Sequence, residues 1–320
     1  MQDNHHADHT DRRTFLRLIS AIGTAGLTEA AESAEARESV HAPWSSGSEV
    51  ARTKAPPNSA DCHHHIYDSR FPVDAKAVLR PPDATVADYR LLQKRIGTTR
   101  HVVVQPSTYG VDNRCMLDAV QQFGLTTTRG IAVVNESVSK SELRRMDAAG
   151  VRGIRFNLVQ AGATTVDMVD PLSKRVAKLG WHVQVNASAE QIAANEALWH
   201  RIPVNVVFDH LGHVPAAADA NAAFGTIGKL LQEGKAWVKL SGAYLDTKVG
   251  PPSYSDAGAV AKAYIREAPE RLVWGTDWPH PTAKNKPDDA LLFDLLADWA
   301  PDESTRIRIL VDNPAKLYGF

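Results

Sequence analysis

Residues 61–72 read DCHHHIYDSRFP, three imidazoles in a row between a carboxylate and an aromatic ring. Imidazole titrates near neutrality, so such a run can ligate a metal, carry a proton, or hydrogen-bond inside a core. In an extended segment neighbouring side chains face opposite ways. His63 and His65 therefore share a face, and His64 turns to the other, where it reads as structural. Further reactive types stand at the ends of other apolar runs: Ser107 and Tyr109 in QPSTYGVDN, Arg155 and Asn157 in GVRGIRFN, and Asp209 and His210 in VVFDHLGH. Lys239, Ser241 and Tyr244 follow in VKLSGAYL, then Asp277 and His280 in WGTDWPHP. One histidine in such a place is usually a hydrogen-bonded core residue. Four of them (His63, His65, His210, His280) with Asp277 make a reaction centre if the fold brings them together. The carboxylate would take a proton from water while imidazoles stabilise the resulting oxyanion. His63, His65, His210 and Asp277 equally form a nitrogen and oxygen donor set for one Zn²⁺.

The elements between them supply the means of convergence. Eight short apolar runs, from SADCHHHIYD to RLVWGTDWP, alternate with stretches of helical spacing such as 141–149, 171–179, 189–200, 222–233 and 256–268. Strand and helix in alternation imply an α/β fold with a parallel sheet, and eight units are the number that closes it into a (β/α)8 TIM barrel. A doubly wound open sheet would instead need a Gly-rich phosphate turn after the first strand, and DCHHHIYDSRFP is not one. In a barrel the reactive residues lie at the C-terminal strand ends, which is where the residues above fall. Arg152 lies nearer the start of its strand than Arg155 and is the weaker candidate for a substrate contact.

The 320 residues carry a formal net charge of −1, which argues against a nucleic-acid partner and for a small molecule. With Cys62 and Cys115 as the two cysteines there is neither a disulfide framework nor a cysteine-based zinc site. Near the start, TDRRTFLRLISAIGTAG resembles a twin-arginine export signal, with Arg12 and Arg13 ahead of an apolar run too short to span a bilayer. We read 1–36 as that signal, ending at Ala34-x-Ala36, and expect an exported, periplasmic protein, with a cytoplasmic one as the alternative. Residues 37–58, rich in Ser, Ala, Pro and charge, read as a linker, and 59–320 as a single, distorted barrel.

The motifs DCHHHIYDSRFP, QPSTYGVDN, GVRGIRFN, VVFDHLGH, VKLSGAY and WGTDWPHP, in that order, resemble the amidohydrolase superfamily. More narrowly they resemble its branch of 2-pyrone-4,6-dicarboxylate lactonase and sugar-acid lactone hydrolases and isomerases, over essentially all of 60–320. The resemblance implies a hydrolase opening a lactone or other cyclic ester of a small organic or sugar acid. Asp277 would be the base, His63, His65 and His210 the oxyanion donors, and His280 a proton shuttle or a partner of Asp277. Arg155, Asn157, Ser107, Tyr109 and Tyr244, with Arg152, would bind substrate. Binuclear members use a fourth-strand Lys or Glu and a fifth-strand His. Here Arg155 or Asn157 stands in the first place and His182 falls at the wrong end of its strand, so two metals are disfavoured. The lactonase branch implies a metal-free site, with a single Zn²⁺ or other divalent cation as the alternative. Where relatives often carry Arg after SGAY this chain has Leu245, which favours a monocarboxylate or neutral lactone over a dicarboxylate. Two other readings use the same residues: a metal-dependent non-oxidative decarboxylase, and a silent periplasmic binding protein. A homo-oligomer is compatible with all of these.

Overall fold

The computed structural model describes residues 39–160, 162–216 and 221–320. Eight strands run parallel in chain order: β1 (Ala60–His64), β2 (Arg100–Val104), β3 (Thr128–Ala132), β4 (Val151–Asn157), β5 (His182–Asn186), β6 (Val206–Phe208), β7 (Ala236–Leu240) and β8 (Leu272–Trp274). Their Val- and Ile-rich runs are buried on both faces, as parallel strands under a layer of helices must be. The ring closes just past β8, where Asp277 N donates to His63 O and His65 N to Trp278 O, each at 2.8 Å. This is a (β/α)8 barrel. Its distortion lies in the three-residue β6 and β8 and in register shifts within β1 and between β3 and β4.

The helices outside the ring are α1 (Val86–Ile96), α2 (Arg114–Phe123), α3 (Lys140–Ala148), α4 (Val169–Val176), α5 (Ala189–Ala194), α6 (Glu196–Arg201), α7 (Ala222–Gln232), α8 (Ser255–Glu267), α9 (Asp289–Trp299), α10 (Glu303–Ile307) and α11 (Asn313–Tyr318). The single helix expected over 189–200 is two, because Asn195 leaves helical geometry and its side chain bonds back to Gln191 O at 2.8 Å. Tyr318 of α11 is buried beneath the strands, its carbonyl held by Arg129 Nε at 3.3 Å.

The export signal at 1–36 lies outside the described residues. The linker expected over 37–58 is corrected: Ser39–Phe320 forms one compact unit, so residues from 39 onward belong to the barrel. Arg95 of α1, with a fully buried side chain, donates to Glu49 O (2.9 Å), Ser46 O (2.8 Å) and Ser45 Oγ (2.9 Å), and Trp278 Nε1 donates to Pro43 O (2.7 Å). A segment of linker-like composition is thus ordered because its carbonyls satisfy donors that are otherwise buried. Among the described residues no helix is long and apolar enough to cross a membrane.

Candidate active site

The C-terminal strand ends form the floor of a cavity of about 550 Å³. Beneath it Asp61 ties β1 to the end of β8. Its Oδ1 accepts from His63 N and Thr276 N, both at 3.0 Å, and its Oδ2 from Thr276 Oγ1 (2.7 Å) and Tyr89 Oη (2.9 Å). Burial pushes the Asp61 carboxyl up to about 6, against those donors. Gly275 permits the approach, since an added Cβ would come within 2.8 Å of His63 N and Cβ.

Above this staple, His63 Nε2 and His65 Nε2 lie 3.4 Å apart and each 3.5 Å from Asp277 Oδ1, with His210 Nε2 at 3.8 Å from the same oxygen. Each imidazole is fixed at its other nitrogen: His65 Nδ1 donates to Val104 O (2.8 Å), His210 Nδ1 pairs with Ser241 Oγ (3.0 Å), and His63 Nδ1 lies 3.2 Å from Asp209 Oδ1. Asp277, His210 and His280 all have positive φ, at 65°, 50° and 55°. Such strain costs on the order of 1–3 kcal/mol per residue and gathers where a side chain must be aimed. Burial, then Lys239, pushes His63 well below the usual imidazole range, and burial lowers His210 to about 4. Burial alone would raise Asp277. The imidazoles of His210, His65 and His63 outweigh it and hold the carboxyl well below its ordinary value, so Asp277 is ionised.

Three of the four converging atoms, on His63, His210 and Asp277, fit a metal, and His65 Nε2 is not within the same reach of all three. Tetrahedral zinc with bonds near 2.0–2.1 Å separates its ligand atoms by about 3.4 Å, close to the observed spacings. Donor atoms of His63, His210 and Asp277 also lie within 4.8 Å of one another.

A second, deeper layer holds this cluster. Arg155 Nε donates to Asp209 Oδ2 at 3.0 Å and Gln184 Nε2 to the same oxygen at 3.1 Å. The buried ammonium of Lys239 donates to Cys62 O and Gln184 Oε1, both at 2.8 Å, and sits 3.3 Å from His63 Nδ1. Burial tends to raise Asp209, but His63, Lys239 and Arg155 bring it well below the carboxylate range. Arg155 lines the cavity, and among the described residues no group accepts from its two terminal nitrogens.

The expected site residues divide. His65, His210, Asp277, Arg155, Asn157 and Ser107 line the cavity, with Asn157 Nδ2 donating to Ser107 Oγ at 2.8 Å, and His63 lies just beneath. Four others are corrected. Tyr109 is turned away, its hydroxyl accepting from Asp68 N (2.8 Å) and donating to Asp68 O (3.2 Å). The Tyr244 hydroxyl donates to Asp277 Oδ2 at 2.6 Å instead of lining the cavity. His280 Nε2 pairs with the Asp289 carboxylate at 3.0 and 3.1 Å and makes no side-chain bond to Asp277. Arg152, second residue of β4, donates to Asp147 O (3.1 Å) and Val151 O (2.7 Å) at the opposite end of the barrel. His64 stacks on Tyr89 with centroids 3.6 Å apart and bonds His101 at 2.8 Å, the structural place its alternation implied.

Sequence reasoning gave no role to Tyr67, Asn186 and His213, which line the cavity, or to Asp209, Lys239 and Asp61, which support it. Tyr67 was within reach, since 63, 65 and 67 follow one alternation. The buried charges were not, because their partners are distant in sequence.

The comparisons with known proteins agree with this architecture. The amidohydrolase family model matches residues 60–320. A 2-pyrone-4,6-dicarboxylate hydrolase of Comamonas testosteroni is 34% identical over 86% of this chain and 94% of its own length. A 4-sulfomuconolactone hydrolase of Rhizobium radiobacter is 33% identical over 82% of this chain and 91% of its own. An apo crystal structure from Agrobacterium tumefaciens superposes with a TM-score of 0.80 at 27% identity, covering 87% of this chain and 98% of that one.

Proposed function

The chain belongs to the amidohydrolase family, and on that premise we propose that it is a hydrolase opening the ring ester of a small organic or sugar acid. The reading rests on one geometric fact: an ionised Asp277 oxygen sits among three imidazole nitrogens on the floor of a cavity large enough for such a ring. Relatives that act on lactones support the choice of bond.

Asp277 Oδ1 accepts a proton from water as the water oxygen attacks the lactone carbonyl carbon. The carbonyl π electrons move onto oxygen, where His210 Nε2–H stabilises them. Collapse re-forms the carbonyl and breaks the ring C–O bond, and the leaving oxygen takes the proton back from Asp277. His65 is an unsuitable oxyanion donor, because its hydrogen goes to Val104 O, and His63 acts from below the floor. The free terminal nitrogens of Arg155, with Ser107, bind a substrate carboxylate. Leu245 lines the cavity where a second cation would be needed, so one carboxylate or none suits the site better than two. We read the residues as sufficient without a metal. A divalent cation held by His63, His210 and Asp277 would supply polarisation of the carbonyl. His280, bound to Asp289, supports the loop that carries Asp277.

Hydrolysis of a lactone panel, followed by acid release, tests the activity, and Asp277→Asn should lower kcat by about a thousandfold. No release from any lactone by the unsubstituted protein would exclude the reading. Metal content by mass spectrometry, with rates before and after chelation, decides between the two forms of the site: activity that persists in metal-free protein is the expected result. Export of 1–36 is checked by fractionating cells that carry Arg12 and Arg13 or Lys in their places.

A further inference from the structure

Opening a lactone at Asp277, the reading on which this inference rests, calls for hydrogen-bond donors where charge develops on the carbonyl oxygen. The cavity offers few. The His65 hydrogen is committed to Val104 O at 2.8 Å, Arg155 Nε to Asp209 at 3.0 Å, and the terminal nitrogens of Arg155 to the substrate carboxylate. His63 is wholly buried below. His210 remains, since the Ser241 hydroxyl at its Nδ1 can donate and leave Nε2 free to carry a hydrogen.

Tyr67 extends the alternation of His63 and His65 and lines the cavity beside His65, Arg155, His210 and Asp277, with 2% of its surface exposed. Among the described residues no group makes a hydrogen bond of ordinary geometry with its hydroxyl. Its polar neighbour Thr108 gives its own hydrogen to Leu79 O at 2.8 Å. The phenol thus has Thr108 Oγ1 as its one loosely placed resting partner and can turn its hydrogen to an oxyanion, on the wall of a site short of donors. We propose that Tyr67 is a catalytic residue whose O–H, with His210 Nε2–H, forms the oxyanion hole for the tetrahedral intermediate. As water oxygen bonds to the carbonyl carbon and its proton passes to Asp277, the new oxyanion accepts from Tyr67. When the ring C–O bond breaks, that contact loosens. Tyr67 keeps its hydrogen throughout, and no other reactant is needed.

Tyr67→Phe removes the hydroxyl alone. It should lower kcat for the best lactone by about 100-fold while KM moves by less than about threefold, as for a donor that acts on the transition state more than on the substrate. A five-membered cyclic phosphonate, whose anionic oxygens imitate the intermediate, should bind the variant about tenfold or more weakly in calorimetry. Binding of the ring-opened hydroxy acid should be unchanged. A raised KM with intact kcat, or phosphonate binding equal in the two proteins, would overturn the assignment, as would failure of the phosphonate to bind the unsubstituted protein. Calorimetry needs no turnover, so a protein that opens no lactone yet binds the phosphonate through Tyr67 would separate failure of the activity from failure of this inference.

Discussion

The two oxygens of Asp277 have different surroundings. Oδ1 faces three imidazole nitrogens at 3.5–3.8 Å, while Oδ2 accepts from the Tyr244 hydroxyl at 2.6 Å. Tyr244 therefore chooses which oxygen meets water. In Tyr244→Phe the buried Oδ2 loses a charge-assisted donor and the carboxylate can rotate, so kcat should fall by about tenfold or more with KM little changed. A rise in KM with kcat preserved would return Tyr244 to the substrate-contact role its sequence position suggests. The reactive His and Asp positions are legible in the sequence because alternation and strand ends fix where they point. Tyr244, Tyr109 and His280 are not, because each lies in a loop whose path decides its partner. Asp209, Lys239 and Arg155 meet across three strands, and no local pattern announces a contact of that kind.

Eight apolar runs separated by helical spacing make the barrel legible in the sequence, since only closure pairs every strand. The spacing does not resolve the break at Asn195, which is a matter of one side chain bonding Gln191 O. Nor does it reveal that 39–58 belongs to the fold, since Ser-, Ala- and Pro-rich composition describes a segment's own preferences and omits the donors waiting for it. Removing 39–52 would strip Arg95 of Ser45, Ser46 and Glu49, leaving Asp288 at 2.6 Å as the partner of a buried guanidinium, and would free Trp278 Nε1 from Pro43. Each buried donor left without its acceptor costs about 1–3 kcal/mol. Calorimetry on 39–320 against 53–320 should therefore show Tm lower by several degrees in the shorter chain. Because Trp278 O accepts from His65 N at 2.8 Å, activity should fall with it. Equal Tm values would mean the segment only rests on the barrel.

For the molecule as a whole, the histidines buried in and around the barrel make stability a function of pH. Burial lowers His101 and His182 to about 3 and His210 to about 4, and takes His64 well below the usual imidazole range. An unfolded imidazole titrates near 6.5. Between about 4 and 6.5 the unfolded chain consequently binds protons that the folded chain refuses, so stability rises with pH across that window and is lost as pH falls through it. Asp61 works the other way. Its folded value of about 6 exceeds the unfolded value near 3.9, so between the two the native state holds the extra proton and stability declines as pH rises. Five imidazoles, His63 included, against one carboxyl fix the sign. Each proton taken up on unfolding changes stability by on the order of 1 kcal/mol per pH unit, so Tm should climb steadily from pH 4.5 to 6.5 and level off above it. A Tm that stays flat or falls over that interval would show that the buried imidazoles are charged in the folded protein. The ionised Asp277 at the centre of the site would then face imidazolium partners instead of neutral ones, and the roles of base and donor would have to be reassigned.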